Sequence, residues 1–213
     1  NQPPTQWATE GFAISRAEIT VGQVLACVDA LWCALPPEWD SSVQMGGPSS
    51  MLPAVEVTWN AAGYICQFMG AELCTSDQWE YAARGPCPPG SDKAACAEQL
   101  SGFPWGDTPL ACDLAWAQHD DNFCEVWDLR AAPDLEPGHS PFGAVDLLGN
   151  AREWVTGQGT WWEDNHDKAG YSSGTFLERG GGWQTSVEVL STSVVTAQPS
   201  DYVDAAIGWR CCW

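Results

Sequence analysis

Acidic and amide side chains gather in one short stretch, Phe142 to Glu153, which reads FGAVDLLGNARE and runs on into Trp154 and Val155. Asp146, Asn150 and Glu153 lie there around a Gly-Asn pair, among apolar neighbours. Two carboxylates so placed suit three roles: a general acid/base pair, oxygen ligands of a hard cation, or the flanks of a turn in which Asn150 takes a left-handed conformation. A second stretch, GTWWEDNHDKAGYSSG, sets Trp161 and Trp162 beside Asp164 and His166. Aromatic faces next to fixed polar groups suit a sugar or peptide ligand; a solvated loop has the same composition. The three histidines, at 119, 139 and 166, are scattered, and no local signature marks a Ser-His-Asp arrangement.

Ten cysteines, at 27, 33, 66, 74, 87, 96, 112, 124, 211 and 212, are the other reactive groups. Several fall in close pairs, Cys27/Cys33, Cys87/Cys96 and Cys112/Cys124. There is no CxxC, and no histidine stands at zinc-finger spacing, so zinc is a poor fit. An even count in loop-rich sequence reads as disulfides and therefore as an oxidising compartment.

The elements that must position these groups come from the first half of the chain. ITVGQVLACVDALW has Thr20 as N-cap and Val21, Val24, Leu25, Val28 and Leu31 on one stripe, which predicts a helix. VTWNAAGYICQFMG predicts another, from near Thr58 to Gly70. TSDQWEYAARG is a third, with a Thr75/Gln78 capping box, Trp79 and Ala82 or Ala83 facing inward, and Gly85 as its stop. Beyond Gly85, Pro, Gly, Asp and Cys recur with no sustained period, as in loops pinned by disulfides. Short strands are expected at 12–15, 144–148, 153–156, 175–179 and 206–211. Residues 1–10, a polar and proline-containing lead, read as a leader or linker remnant, and 11–213 as a single domain.

The 213 residues carry 28 acidic and 8 basic side chains, a formal charge of -20. Such a surface repels phosphate backbones and anionic membranes, which argues against nucleic acid as a partner. No apolar run is long enough to span a bilayer. The 14 tryptophans are far above ordinary usage and need partners for their indole N–H groups, so polar seams should cross the core.

In order along the chain stand FAISRAEITVGQ, PAVEVTWNAAGYIC, LCTSDQWEYAARG, FPWGD, SPFGAVDLLGNAREWV, RGGGW and GWRC. This series, covering about 12–211, resembles the formylglycine-generating enzyme (sulfatase-modifying factor) domain family. The resemblance implies an α+β fold related to the C-type lectins, poor in regular structure and disulfide-rich, with its two chain ends close together. It implies a bond from Cys66 to Cys211, with Cys74 as partner of Cys212. The family's enzyme oxidises a sulfatase cysteine to formylglycine with two copper(I)-binding cysteines. At the matching positions this chain has Thr185 and Leu190, and neither a hydroxyl nor an isobutyl group replaces a soft thiolate. No copper is expected. The resemblance also implies a structural calcium ion held by the side chains of Asp146 and Glu153 and the carbonyls of Gly149 and Ala151. The family's second calcium site falls at Ala115-Trp116-Ala117, where Trp116 offers no side-chain oxygen, and is not expected here.

Together these readings describe an exported (extracellular, cell-surface or periplasmic), calcium-stabilised, non-catalytic module that binds a protein, peptide or glycan or serves as structure. The competing reading is a formylglycine-generating or related metal-dependent oxidase with a relocated site.

Overall fold

A computed structural model describes residues 11–37, 39, 48–86, 102–108, 111–118, 125–132, 138–157 and 175–213. Three helices form where capping chemistry starts them. α1 (Val21–Asp29) begins at Thr20, whose hydroxyl accepts the Gln23 amide while the Gln23 side chain returns to the Thr20 amide, a capping box. α2 (Trp59–Phe68) begins at Thr58, which accepts from the Ala61 amide. It stops at Gly70, whose φ of 70° lets the chain turn back. α3 (Ser76–Arg84) carries the Thr75/Gln78 box and ends at Gly85.

Four strands form the larger sheet: β2 (Arg152–Val155), β3 (Thr175–Arg179), β4 (Val195–Pro199) and β5 (Ile207–Trp209). Their order is β4-β3-β2-β5, with β2 parallel to β5 and antiparallel to β3. A second, two-stranded sheet pairs β1 (Glu72–Leu73) with β6 (Cys211–Cys212). Of the expected strands, the one at 12–15 is reduced to a single bridge between Ile14 and Cys212, and the one at 144–148 is absent. That segment is buried, but Asp146 has φ 53° and turns the chain where a strand would run on. In the other direction, β1 and β4 were not expected. Among the described residues β4 pairs with β3 alone, and its side chains are half-buried or exposed, so it lacks the apolar alternation that marks a strand in sequence.

The main core joins α1 and α2 to the sheet through Val24, Ile65, Trp154, Ile207 and Trp209. A second cluster packs Trp79 of α3 on Leu147, Leu148, Val155 and Leu177. The polar seams are present. Trp39, Trp59 and Trp154 donate to the carbonyls of Val55, Val155 and Val57 at 2.9–3.0 Å.

Disulfides join Cys27 to Cys33, Cys66 to Cys211 and Cys74 to Cys212. Cys112 is also disulfide-bonded. Cys87, Cys96 and Cys124, like residues 1–10, lie outside the described residues. Two residues far apart in sequence meet: the Ala13 and Trp213 amides each donate to the other residue's carbonyl, at 3.0 and 2.9 Å. Among the described residues no helix is long and apolar enough to cross a membrane.

Candidate functional site

Three positive φ angles within five residues, at Asp146, Gly149 (88°) and Asn150 (58°), fold the acidic stretch back on itself before β2 begins. Gly149 is required there. A Cβ at this position would stand 2.6 Å from the Trp116 carbonyl oxygen, and the same oxygen accepts the Asn150 amide at 2.7 Å. The Asn150 side chain bonds the Arg130 backbone on both sides, receiving its N–H at 3.0 Å and donating to its carbonyl at 3.2 Å. Arg130 is thereby laid over the Trp116 ring, 4.9 Å from its centre, and donates to Asp146 Oδ1 at 2.7 Å.

Glu153, wholly buried on β2, receives Arg210 Nε at 2.8 Å on Oε1 and 3.0 Å on Oε2. It also receives Trp79 Nε1 at 2.6 Å on Oε2. The remaining Arg210 donors reach the carbonyls of Ser15, Arg16 and Val145. A third acid, Glu18, completes the group. Its Oε1 accepts the Ala151 amide at 3.4 Å, and its Oε2 lies 4.0 Å from Arg210 Nη2. Three buried carboxylates thus face two guanidiniums. Burial, and then the nearby Asp146 charge, push the Glu18 carboxyl well above the usual carboxylate range. Burial also raises Glu153, with Arg210 and Trp79 pulling the other way.

Glu18 and Arg210 were not singled out from sequence. A signal existed for Glu18, an acid set between Ala17 and Ile19, two residues before the helix cap Thr20. Arg210 stood out only as part of GWRC.

The donor set of this group fits a hard cation on three counts. Asp146 Oδ2 and Glu18 Oε2 are buried and accept no hydrogen bond. The carbonyls of Gly149 and Ala151 likewise accept none among the described residues. Glu153 Oε1 takes one bond, which leaves it a lone pair. Calcium prefers such a mixture of carboxylate and main-chain oxygen. Among the described residues no three His, Cys, Asp or Glu side chains are grouped so as to hold a metal ion, so any cation here would depend on the carbonyls. The arrangement suits an acid/base pair poorly, because Glu153 is already neutralised by Arg210.

Thr185 and Leu190, far from this group in sequence, come together at Gly181. A Cβ on Gly181 would meet Leu190 Cδ2 at 2.5 Å and Thr185 Oγ1 at 3.3 Å. The Thr185 hydroxyl accepts the Gly182 amide at 2.9 Å, and Leu190 is buried with Ala115 and Ala117. Among the described residues every cysteine is in a disulfide.

The family described as the Sulfatase-modifying factor enzyme 1-like domain matches the chain over residues 1–213. The chain belongs to this family. Within it, the mouse protein named inactive C-alpha-formylglycine-generating enzyme 2 is 32% identical over 129 residues, covering 53% of this chain and 36% of that protein. The Streptomyces coelicolor protein named formylglycine-generating enzyme is 27% identical over 191 residues, 82% of this chain and 56% of that protein. The chain therefore spans between about a third and just over half of these relatives. Among solved structures, PvdO from Pseudomonas aeruginosa superposes with a TM-score of 0.68 at 20% identity, over 99% of this chain and 85% of that one. The α+β, disulfide-rich fold expected from the motifs is the family's fold.

In this family member the expected ligand surface, Trp161, Trp162, Asp164 and His166, lies outside the described residues, as does His119. His139 is described, and its Nδ1 lies 2.9 Å from the Ser140 carbonyl.

Proposed function

We propose that this chain is an exported, non-catalytic member of its family, stabilised by calcium, that binds a protein, peptide or glycan. The observation that carries the reading is the pair at Gly181. Thr185 and Leu190, which stand where the resemblance puts the family's reactive thiols, converge there, and neither carries a thiol. A hydroxyl committed to the Gly182 amide and a buried isobutyl group offer copper(I) no soft ligand. The name of the mouse relative, which calls it inactive, agrees with this reading. The disulfides support export, because such bonds persist in oxidising compartments.

The test is copper(I) binding measured by competition with a chromogenic chelator, beside an assay for oxidation of a cysteine-containing sulfatase peptide. The wild-type chain is expected to show neither, and Thr185→Cys with Leu190→Cys to gain copper(I) binding. Tight binding with peptide turnover by the wild-type chain would favour the oxidase reading.

Calcium would supply positive charge to a group with one carboxylate in excess. Asp146, Glu153 and the Gly149 and Ala151 carbonyls would hold it. We assign ligand binding to Trp161, Trp162, Asp164 and His166, on their chemistry alone. Glycan and peptide arrays probed with the wild-type chain, Trp161→Ala and Trp162→Ala check this assignment. Loss of a detected ligand in both variants is expected, and retention in both removes it.

A further inference from the structure

Outside the acidic group and the Gly181 pair, the molecule has an apolar hollow of about 320 Å³ between the segment after α1 and the outer face of α2. Trp32, Leu35, Pro36, Val57, Tyr64 and Ile65 form most of its wall. Several of these side chains are open to solvent: Trp32 is 71% exposed, Tyr64 66% and Leu35 37%, with Leu31 at 92% beside them. Single exposed apolar residues are ordinary, but a contiguous group of them around a concavity marks a binding surface. The hollow is also built to persist. The Cys27–Cys33 disulfide closes the turn that carries Trp32, and the Trp32 and Cys33 amides both donate to the Cys27 carbonyl.

Among the described residues one charged side chain, Glu56, lines this hollow, and no basic one does. Its backbone is pinned, with the Glu56 amide donating to the Asp204 carbonyl at 3.1 Å. Among the described residues its carboxylate has neither an ion pair nor a hydrogen bond. The basic side chains at Arg84, Arg130, Arg152, Arg179 and Arg210 are already paired with other acids. Thr58 is occupied as the cap of α2, and Trp32 and Tyr64 add an indole N–H and a phenol hydroxyl to the wall. The wall thus offers an apolar enclosure, two aromatic faces and a single unpaired negative charge, in a chain of net charge -20.

We propose that the hollow binds a basic peptide segment: an apolar side chain fills the cavity, and a neighbouring Lys or Arg pairs with Glu56 against the faces of Trp32 and Tyr64. Charge complementarity selects this occupant. A second copy of the chain brings the same excess of negative charge and is repelled. A neutral sugar brings no charge to complement Glu56. A cation seated over an indole or phenol ring gains further attraction. The hollow shares no residue with the Gly181 pair, so the proposal stands whether or not that pair is inert.

The test titrates the oxidised, full chain at physiological ionic strength with three synthetic peptides of equal length, read by calorimetry. One alternates Leu and Lys, one replaces Leu by Ser, and one replaces Lys by Glu. Only the Leu/Lys peptide is expected to saturate a single site. Glu56→Gln should weaken it by about tenfold, the scale of one charge-assisted hydrogen bond. Trp32→Ala with Tyr64→Ala should abolish it; both side chains are exposed, so unchanged melting temperatures will verify the fold. Glu188→Gln, which removes one charge elsewhere, should leave binding as it is. Equal weakening by Glu56→Gln and Glu188→Gln would reduce the effect to bulk charge and overturn the proposal. So would saturation by the Leu/Glu peptide, or a dimer in sedimentation that Tyr64→Ala dissolves.

Discussion

Arg210 receives no help from its sequence neighbours in neutralising Glu153 and Glu18; its partners come from β2 and from the segment before α1. Removing a cation from such a pair leaves buried charge uncompensated. The same physics governs Glu18, whose folded carboxyl is raised above its ordinary value of 4.5. The folded state then binds this proton more tightly than the unfolded chain. Its contribution to stability is full below about 4.5, and it is lost as pH rises through the folded value. In EDTA the wild-type chain should therefore lose stability, relative to Glu18→Gln, as pH climbs from that value toward neutrality. Added calcium should offset the loss, since an ion bound only by the folded form raises the melting temperature. Melting curves across pH, with and without calcium, check both halves. Identical slopes for the two proteins would remove Glu18 from the account, and indifference to calcium would remove the ion. Asp146 and Glu153 were legible as a pair because they lie in one short stretch. Glu18 and Arg210 were not, because no local pattern reports a contact between residues near opposite ends of a chain.

Among the elements, the tight stretch leading into β2 is the most demanding. Gly149 combines φ 88° with a Trp116 backbone that leaves no room for a Cβ, whereas Gly70, at φ 70°, has nothing within 4 Å of that position. Gly70→Ala should cost about 1–2 kcal/mol, the strain of a left-handed residue. Gly149→Ala should cost clearly more, because the Trp116 segment must also move. Chemical unfolding of the two variants compares them, and equal losses would refute the packing half of the argument. The helices were legible because Thr20, Thr58 and Thr75 announce their starts in side-chain chemistry. β3 was found at its observed bounds, 175–179. The 144–148 segment misled because a buried apolar run looks the same whether it extends or turns, and the turn depends on Asp146 taking a backbone conformation that its residue type only tolerates.

Across the whole molecule, two disulfides close almost the same loop. Cys66–Cys211 spans 145 residues and Cys74–Cys212 spans 138. In the chain-entropy picture one bridge over a loop of that size is worth about 5 kcal/mol. With either bridge in place, the unfolded chain is already closed, so the second adds little of this term. Removing one bridge by paired Cys→Ala changes should cost much less in loop entropy than removing the other afterwards. A double-mutant cycle in urea measures the difference, and additive losses would contradict it. These pairings were legible only through the family's motif order, since an even cysteine count allows many connectivities. The same covalent arrangement determines how the protein bears tension. A pull on residues 11 and 213 travels from the amino-terminal segment to Cys66, crosses to Cys211 and leaves. The stretch between those two cysteines carries the acidic group's Asp146 and Glu153, the Gly181 pair and all of the larger sheet, and it hangs outside the line of force. Oxidised, the chain can be stretched at residues 11 and 213 while Asp146, Glu153, the Gly181 pair and the larger sheet stay unloaded, whereas Glu18 and most of the wall of the apolar hollow lie on the loaded stretch.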